Sequence, residues 1–577
     1  MGNHRRGHAD RRRRGVSRGV VATVVVLVLL AAAVVGWFAV RDRSAEEAEQ
    51  AARACVEGEA TLAVTADPDV ADVLRTLGES WTAGGPVVRD QCITTEVTAT
   101  PTAVAAEALA APTYDPSAAG PEPALWVPAD TASAASAVAA RGTDITPRSV
   151  VTSPVVIGAA PTVADGLAAA GSRWSDLPAL VTEADPLRLA LPADPATAAT
   201  VVAVATDPAS ETQPLTVDRA TSPAAVSAVS RLALAAGAVP ADIADVDTAL
   251  DAIVRAPDPT AAPVRAVPVT EQQLATRIRE GQQLAAFRPA GPTPMADHPG
   301  LVLATADPTA RAAAAEFLDY VRSTPGREAF LAAGFRVPGG SAGATDAAPE
   351  PMAGLDFPAV DTVAPVPTPE ARAAVLRIVA APQRPASTTL LLDVSGSMES
   401  IDGGSTRLDN VRAALGRATG ALPGDGRLGV WIYSRGLDGP RPYRVLAPLG
   451  PAAESARTGL DALSGITPQT ATSTYAAVLA AYRSAVENWS PDGPQSVLLV
   501  TDGPNDDTSI SSSSFLQSLA GAADPARPVR LDVVSLADNS DIDTLRSAAG
   551  QTGGDVIVTA SSDPGLAGTL ERLTSAR

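Results

Sequence analysis

Lysine occurs nowhere in the 577-residue chain. Its absence removes P-loops, lysine Schiff bases and Ser-x-x-Lys acylases together, because each chemistry needs an ammonium at a fixed place. Histidine is nearly as scarce, and of His4, His8 and His298 only the last lies outside the N-terminal tail. A Ser-His-Asp hydrolase would have to use His298 as its base, and no Gly-x-Ser-x-Gly elbow accompanies it. In Met295-Ala296-Asp297-His298-Pro299 that histidine reads as a loop residue. A His-Glu-x-x-His zinc site has no residues to be built from. Aromatics make up 3% of the chain and the formal charge is -20. Both argue against stacking bases or neutralising a phosphate backbone, so no nucleic-acid partner is expected. The only cysteines, Cys55 and Cys92, make half a metal site at most without nearby histidines.

What is present is apolar and acidic. Hydrophobic residues reach 46% and charged ones 19%, enough for several cores in a chain of this length. With 45 glycines and 50 prolines, folded units joined by proline-rich linkers are expected rather than a low-complexity polymer. Seven arginines against the single acid Asp10 make residues 1–18 a basic tail, and residues 19–40 then run without a charge. That run is long enough to span a bilayer at 1.5 Å rise per residue. A cleavable signal peptide has a shorter apolar core and small residues after it, whereas Trp37, Phe38, Arg41 and Arg43 stand here. Residues 19–40 are therefore read as one uncleaved transmembrane helix, with proteolytic removal as the alternative. The arginine excess places the N-terminus in the cytoplasm and the bulk of a single-pass cell-membrane protein outside. Residues 41–54 read as an acidic, alanine-rich stalk, and Cys55 and Cys92 beyond it suit a disulfide in an oxidising compartment.

Residues 55–340 alternate short apolar strands with helical patterns, as α/β units do. A strand is expected at 61–65, a helix at 67–81 behind the capping Asp67, a strand at 93–98, and further apolar runs at 124–127, 150–157 and 187–191. Residues 301–336 add a strand, a helix with Phe317, Leu318 and Val321, a Pro325-Gly326 break and a second helix ended by Gly334. This segment, with Leu125-Trp126-Val127-Pro128, Thr152-Ser153-Pro154-Val155-Val156 and Leu191-Pro192-Ala193-Asp194-Pro195, resembles the extracellular solute-binding proteins of the type-2 periplasmic fold. The resemblance implies two α/β lobes around a cleft where helix N-termini and hydroxyls meet a ligand, often an anion. Thr65, Thr100 and Ser153 are the candidate ligand-binding hydroxyls; capping and turn roles are the plainer alternative for each. The phrase Thr98-Ala99-Thr100-Pro101 lacks the glycine-serine turn expected at an oxyanion cleft of that family. Residues 341–385 shift to Pro, Ala, Gly, Thr and Asp and read as a linker holding a short helix at 371–380.

In residues 386–577 the buried-strand run 388–392 delivers Asp393-Val394-Ser395-Gly396-Ser397-Met398 into a loop before a helix at 407–421. A second apolar strand at 496–500 delivers Thr501-Asp502-Gly503. A strand at 427–433 and a helix at 475–486 fall between them; strands at 529–536 and 556–559 and a helix at 566–573 follow. Ligands of a doubly wound sheet sit beyond the carboxyl ends of its strands. A hard cation such as Mg²⁺ takes about six oxygens near 2.1 Å and keeps several waters. Ser395, Ser397 and a threonine could supply hydroxyls directly, with Asp393 and Asp502 supplying charge mostly through water. This order of motifs resembles the metal-ion-dependent adhesion site of von Willebrand factor type A domains. The resemblance implies a Rossmann-like fold, Mg²⁺ or another divalent cation such as Mn²⁺ or Ca²⁺, and a protein partner whose carboxylate completes the ion's shell. Family spacing favours Thr472 as the hydroxyl, with Thr470 and Thr474 as competitors.

The expected architecture is thus α/β throughout: one N-terminal transmembrane helix, a two-lobed solute-binding-like domain and a von Willebrand factor type A domain. The expected role is non-enzymatic adhesion, and the alternative is a solute receptor linked to transport or sensing with the C-terminal domain as coupling module.

Overall fold

The computed structural model describes residues 55–140, 148–181, 186–339, 346–420, 426–491 and 493–574, with residues 26–27, 30, 33–38 and 40–41. The expected span 19–40 lies largely outside the described residues, as does nearly all of the 41–54 stalk. Among the described residues no helix is long and apolar enough to cross a membrane. The chain divides into two compact units, one of Met1–Val127 with Gly300–Arg327 and one of Pro128–Pro299 with Glu328–Arg577.

In the first unit Glu59–Ala66 pairs in parallel with Gln91–Ala99 on one side and Leu125–Val127 on the other. Asp67 caps the helix Pro68–Ala83 by accepting from the Asp69 amide, and proline takes the first helical position, where its missing N–H costs nothing. Val70, Leu74 and Leu77 line the helix's buried face at the i, i+4, i+7 spacing of an amphipathic helix. Gly78 lets this helix lie close on the sheet, since a Cβ there would stand 2.8 Å from the Thr95 hydroxyl. Cys55 and Cys92 form the expected disulfide, with Cα atoms 5.2 Å apart.

Among the described residues of the second unit, one hydrophobic core surrounds a mixed helix and strand layer and two more flank a separate sheet. Around the first, the wholly buried strand Ser153–Ala159 lies between the antiparallel strands Ala266–Thr270 and Ala285–Phe287. Of the expected run 187–191 only a bridge forms, Leu189 to Ala266. The helix inside the expected linker, Pro369–Ala380, packs Ala371, Ala374 and Val375 into this core, so that part of the Pro- and Ala-rich segment is folded structure. His298 is the loop residue expected, between the strands Met295–Ala296 and Pro299–Val302, but a fully buried one: its Nδ1–H donates to the Pro128 carbonyl (3.2 Å), and its ring meets Phe335 edge-on. The following proline is what gave it a loop-like sequence, and its φ of 26° agrees.

The other two cores lie on the two faces of a doubly wound sheet of six strands: β1 (Ser387–Asp393), β2 (Arg427–Asp438), β3 (Arg441–Pro451), β4 (Gln495–Thr501), β5 (Val529–Ser535) and β6 (Val556–Val558). Their spatial order is β3-β2-β1-β4-β5-β6, parallel except for the antiparallel edge strand β3. Successive residues point to opposite faces of a strand. Leu390, Leu392, Ile432 and Val500 therefore pack with helices α1 (Arg407–Gly420), α2 (Ala452–Leu463) and, at the C-terminus, Leu566–Thr574. Leu391, Tyr433, Val497 and Leu499 pack with α3 (Thr474–Glu487) on the other face. Gly459 permits α2 to press on the sheet, because a Cβ there would meet Val430 at 2.7 Å.

Burial pushes the His298 imidazole down to about 4 from an ordinary value near 6.5, against the opposing pull of Asp130 and the Pro128 carbonyl. Between those two pH values the unfolded chain takes up a proton that the folded chain refuses, so stability falls as pH drops through the window. Urea unfolding at pH 7 and pH 4 should show the wild type losing up to about 3 kcal/mol more than His298→Asn, whose side chain tolerates the positive φ. Equal losses in the two proteins would contradict this.

Candidate functional site

β1 and β4 run parallel with Leu392 opposite Val500, so their carboxyl ends release Asp393 and Thr501 side by side. The Asp393 carboxylate is fully buried and takes three donors: the Ser395 amide (2.8 Å), the Thr501 hydroxyl (2.8 Å) and the Tyr433 hydroxyl (3.1 Å). Burial pushes its carboxyl up to about 6, opposed by the hydrogen bonds from Ser395 and Thr501 and reinforced by the charge of Asp502. Tyr433 is driven well above the usual phenol range by the same burial and by Asp393.

Above this carboxylate three further expected residues converge. The Ser395 and Ser397 hydroxyls lie 3.0 Å apart, and Ser397 Oγ donates to Asp502 Oδ1 at 2.6 Å. Adjacent oxygens around a six-coordinate ion with bonds near 2.1 Å stand about 3 Å apart. The donor set is of the right kind and spacing for a small hard cation. Arg407, the first residue of α1, gives Nη1 to Asp502 Oδ2 at 2.8 Å. Sequence reading did not place this guanidinium beside the acid.

The threonines sit differently. Thr472 Oγ1 donates to the Pro504 carbonyl (2.5 Å) and accepts from the Asp506 amide (2.9 Å), while its own N–H donates to Asp506 Oδ2 (3.0 Å). Thr470 has a φ of 64°; its hydroxyl donates to the Arg435 carbonyl, and its own carbonyl accepts from Gly396 N–H, both at 2.9 Å. Thr474 is buried, with its hydroxyl 3.4 Å from that of Tyr433. Asp506, which fixes Thr472, lies four residues beyond Asp502 in Gly503-Pro504-Asn505-Asp506-Asp507, and that acidic turn was the available signal.

The hydroxyls proposed for solute binding lie in both units. In the first, Thr65 is buried within Glu59–Ala66, and the Thr100 amide donates to the Ala66 carbonyl (2.9 Å). Asp67 serves two helix starts at once: beyond its own cap it accepts from Thr102 N–H (3.2 Å) and Thr102 Oγ1 (2.5 Å) at the beginning of Thr102–Ala110. Burial raises its carboxyl above the ordinary value, opposed by those hydrogen bonds. In the second unit Ser153 Oγ accepts from Gln272 N–H (3.0 Å) at the start of Glu271–Arg279. Glu271 there meets Arg336 at 2.8 and 3.1 Å, both residues buried. Asp297 accepts from Thr131 N–H (2.7 Å) and Oγ1 (2.5 Å) at the start of Thr131–Ala140. A helix N-terminus attracts anions, and here the chain's own side chains occupy these positions.

The family model described as von Willebrand factor type A domain matches residues 388–505. That of bacterial extracellular solute-binding proteins matches residues 62–336, which suggests an extracytoplasmic protein. The chain is 30% identical over 585 residues to "Uncharacterized protein Rv1836c" of Mycobacterium tuberculosis (strain ATCC 25618 / H37Rv), covering 94% of this chain and 80% of that protein. "Uncharacterized protein MT1884" of strain CDC 1551 / Oshkosh matches to the same extent, 30% over 94% of this chain and 80% of its own. Among solved structures, the sulfate-binding protein SubI from M. tuberculosis H37Rv is 16% identical with a TM-score of 0.30, over 48% of this chain and 87% of that one. A von Willebrand factor type A protein from Catenulispora acidiphila is 18% identical with a TM-score of 0.27, over 33% of this chain and 42% of that one. Together the two domains fit a role in binding a solute or a protein partner.

Replacing Thr472 by valine removes the hydroxyl that joins it to the 504–506 turn. Thr472→Val should lose about 1–2 kcal/mol of stability and speed hydrogen exchange at the Asp506 amide with little change at core amides of β1. Unchanged exchange at Asp506 would show that the hydroxyl does not hold the turn.

Proposed function

Because the chain belongs to the same family as the mycobacterial protein Rv1836c and carries a solute-binding domain ahead of a von Willebrand factor type A domain, we propose that it is a membrane-anchored extracytoplasmic binding protein that grips a partner's carboxylate through a divalent cation. The observation that carries this is the convergence of Ser395, Ser397 and Asp502 above the buried Asp393. Ser395 and Ser397 would hold Mg²⁺, or Mn²⁺ or Ca²⁺, by their hydroxyls, with Asp502 and Asp393 contributing charge and Thr472 a further hydroxyl. When bound, such an ion offers an electrophilic seat to one carboxylate oxygen of another protein.

The chain's own residues do the rest. Thr501 and Tyr433 keep the Asp393 carboxylate in place. Arg407 offsets part of the Asp502 charge, which limits the repulsion between the two acids. The hairpin formed by Ile401–Asp402 and Ser405–Thr406, together with Arg435, Leu437 and Asp438, supplies the surface that would read the partner's shape. Residues 19–40 are proposed as the anchor. No covalent chemistry is assigned to either domain.

Calorimetric titration of the full-length chain with MgCl₂ and MnCl₂ tests this. One ion per chain is expected, with Ser395→Ala and Asp502→Asn each weakening uptake by about tenfold or more while circular dichroism stays unchanged. Uptake unaffected in both variants, or partner binding that survives a chelator, would sink the proposal.

A further inference from the structure

Beside the loop that follows Asp393, a cavity of about 300 Å³ opens between the adjoining ends of β2 and β3 and residues 465–470, which follow α2. β3 sets Arg444 opposite Ile432, and Ile432 packs toward α1 and α2. The Arg444 side chain therefore leaves the sheet on that same face and lines the cavity, with Arg435 of β2 beside it. The walls are tied together. Arg435 N–H donates to the Ala471 carbonyl (2.7 Å), the Thr470 hydroxyl to the Arg435 carbonyl (2.9 Å), and Gln469 N–H to the Val394 carbonyl (3.0 Å). Thr470 has a φ of 64°, a conformation that a β-branched residue keeps only where its surroundings over-determine it. The cavity is thus formed before any guest arrives, which lowers the cost of binding one.

The charge of the wall has one sign. No aspartate or glutamate lines the cavity, in a chain whose formal charge is -20. Among the described residues the Arg444 guanidinium has no hydrogen bond or ion pair. Arg435 Nη2 donates to the backbone carbonyl of Asp506, a neutral acceptor that fixes the guanidinium and leaves its charge uncompensated. Two acids stand close by and are engaged elsewhere. Asp438 pairs with Arg441 at 3.1 Å. Asp507 accepts from the Ser509 amide and the Ser473 hydroxyl, both at 2.9 Å, and its carboxyl is held below the ordinary value first by Ser509 and last by Arg435. Leu437 and Ile466, packed on the core beneath, add an apolar flank. Gly465 and Ile466 lie just past the C-terminal end of α2, whose partial negative charge disfavours a dianion more than a single carboxylate.

We propose that this cavity seats an aspartate or glutamate side chain of an acidic protein segment, its carboxylate against Arg444 and Arg435 and its methylenes against Leu437 and Ile466. A guanidinium meets a carboxylate through parallel N–H donors, and the apolar flank suits a carboxylate carried on a hydrocarbon stem better than an inorganic anion. The Thr470 carbonyl accepts from Gly396 N–H (2.9 Å), and Gly396 stands between Ser395 and Ser397, so the rim of the cavity adjoins the candidate cation site. One partner segment can therefore reach both places, giving one carboxylate to the ion and a neighbouring one to the arginines. That pairing of seats rests on the cation reading; the arginine seat itself needs no ion.

Fluorescence anisotropy of labelled deca-glutamate with the full-length chain at low ionic strength, in MgCl₂ and in EDTA, tests the two seats separately. In either buffer Arg444→Gln should weaken binding about tenfold, and Arg444→Lys should recover part of the loss. Arg457→Gln removes an exposed arginine of α2 outside the cavity and should leave affinity unchanged, with circular dichroism reporting that all three variants are folded. Free glutarate should displace the peptide at lower concentration than inorganic phosphate does. Wild-type binding should tighten when MgCl₂ replaces EDTA; no gain would remove the pairing with the cation, while an Arg444 effect in EDTA would still uphold the arginine seat. Failure of the wild type to bind millimolar peptide in EDTA, or equal losses in Arg444→Gln and Arg457→Gln, would overturn the proposal. Displacement by phosphate ahead of glutarate would overturn it too, giving the cavity to a phosphorylated ligand.

Discussion

The hydrogen bond from the Thr501 hydroxyl to the Asp393 carboxylate ties the ends of β1 and β4 together, and the candidate cation site stands on that tie. Two loops carry its oxygens, and their separation in sequence is large: Ser397 and Asp502, which touch, are 105 residues apart. Parallel pairing sets the register of the two strands, but register alone does not aim the side chains that follow. With Tyr433 and the Ser395 amide completing the set, a buried acid is satisfied from three directions. A buried carboxylate lacking such donors would destabilise the sheet's edge by several kcal/mol. The outcome is a floor under Ser395, Ser397 and Asp502 that cannot easily tilt.

Asp502 differs from the buried acids Asp67, Asp297 and Glu271 in how its oxygens are engaged. At Asp67, Asp297 and Glu271 the carboxylate faces backbone N–H groups or a guanidinium of its own chain, and its bonding capacity is largely used. At Asp502 one oxygen meets Ser397 and the other Arg407. A hydroxyl partner can rotate and present its oxygen to a cation instead, so this acid keeps a way to exchange partners. At Asp67 and Asp297 a hydroxyl donates too, but the same threonine's N–H donates beside it and fixes it.

Legibility in the sequence followed how local each feature was. The alternation of Leu390, Leu391 and Leu392 between two cores could be read as a buried strand, and Asp393, Ser395, Ser397 and Asp502 followed because each stands just after an apolar run. β3 escaped notice: Pro442 and Pro448 interrupt its pattern, and an edge strand tolerates proline because one side needs no ladder partner. The loop Asp402 to Arg407 was read as surrounding the site, but the bond from Arg407 to Asp502 was invisible because that acid lies 95 positions away. His298 stands in a loop, as its neighbours indicated, but its burial was not legible, because Pro128 and Phe335 enclose it from far along the chain. The helix Pro369–Ala380 was expected at 371–380, but its packing was not, since Ala371, Ala374 and Val375 are small enough to pass for linker composition until a core is found against them.

The disulfide has a mechanical consequence. Cys55 opens the continuous described stretch 55–140, and its sulfur is bonded to Cys92 at the head of the strand Gln91–Ala99. Tension arriving along the polypeptide from residues before 55 is handed at once to that neighbouring strand as well as to Glu59–Ala66. With the covalent link in place, peeling Glu59–Ala66 away residue by residue from its front end is blocked. With the link reduced, the pull would fall first on a pair of peptide contacts, Glu57 N–H to the Asp90 carbonyl and Cys92 N–H to the Gly58 carbonyl. Redox state thus sets whether a tug on this end is borne in parallel by two strands or unzips one.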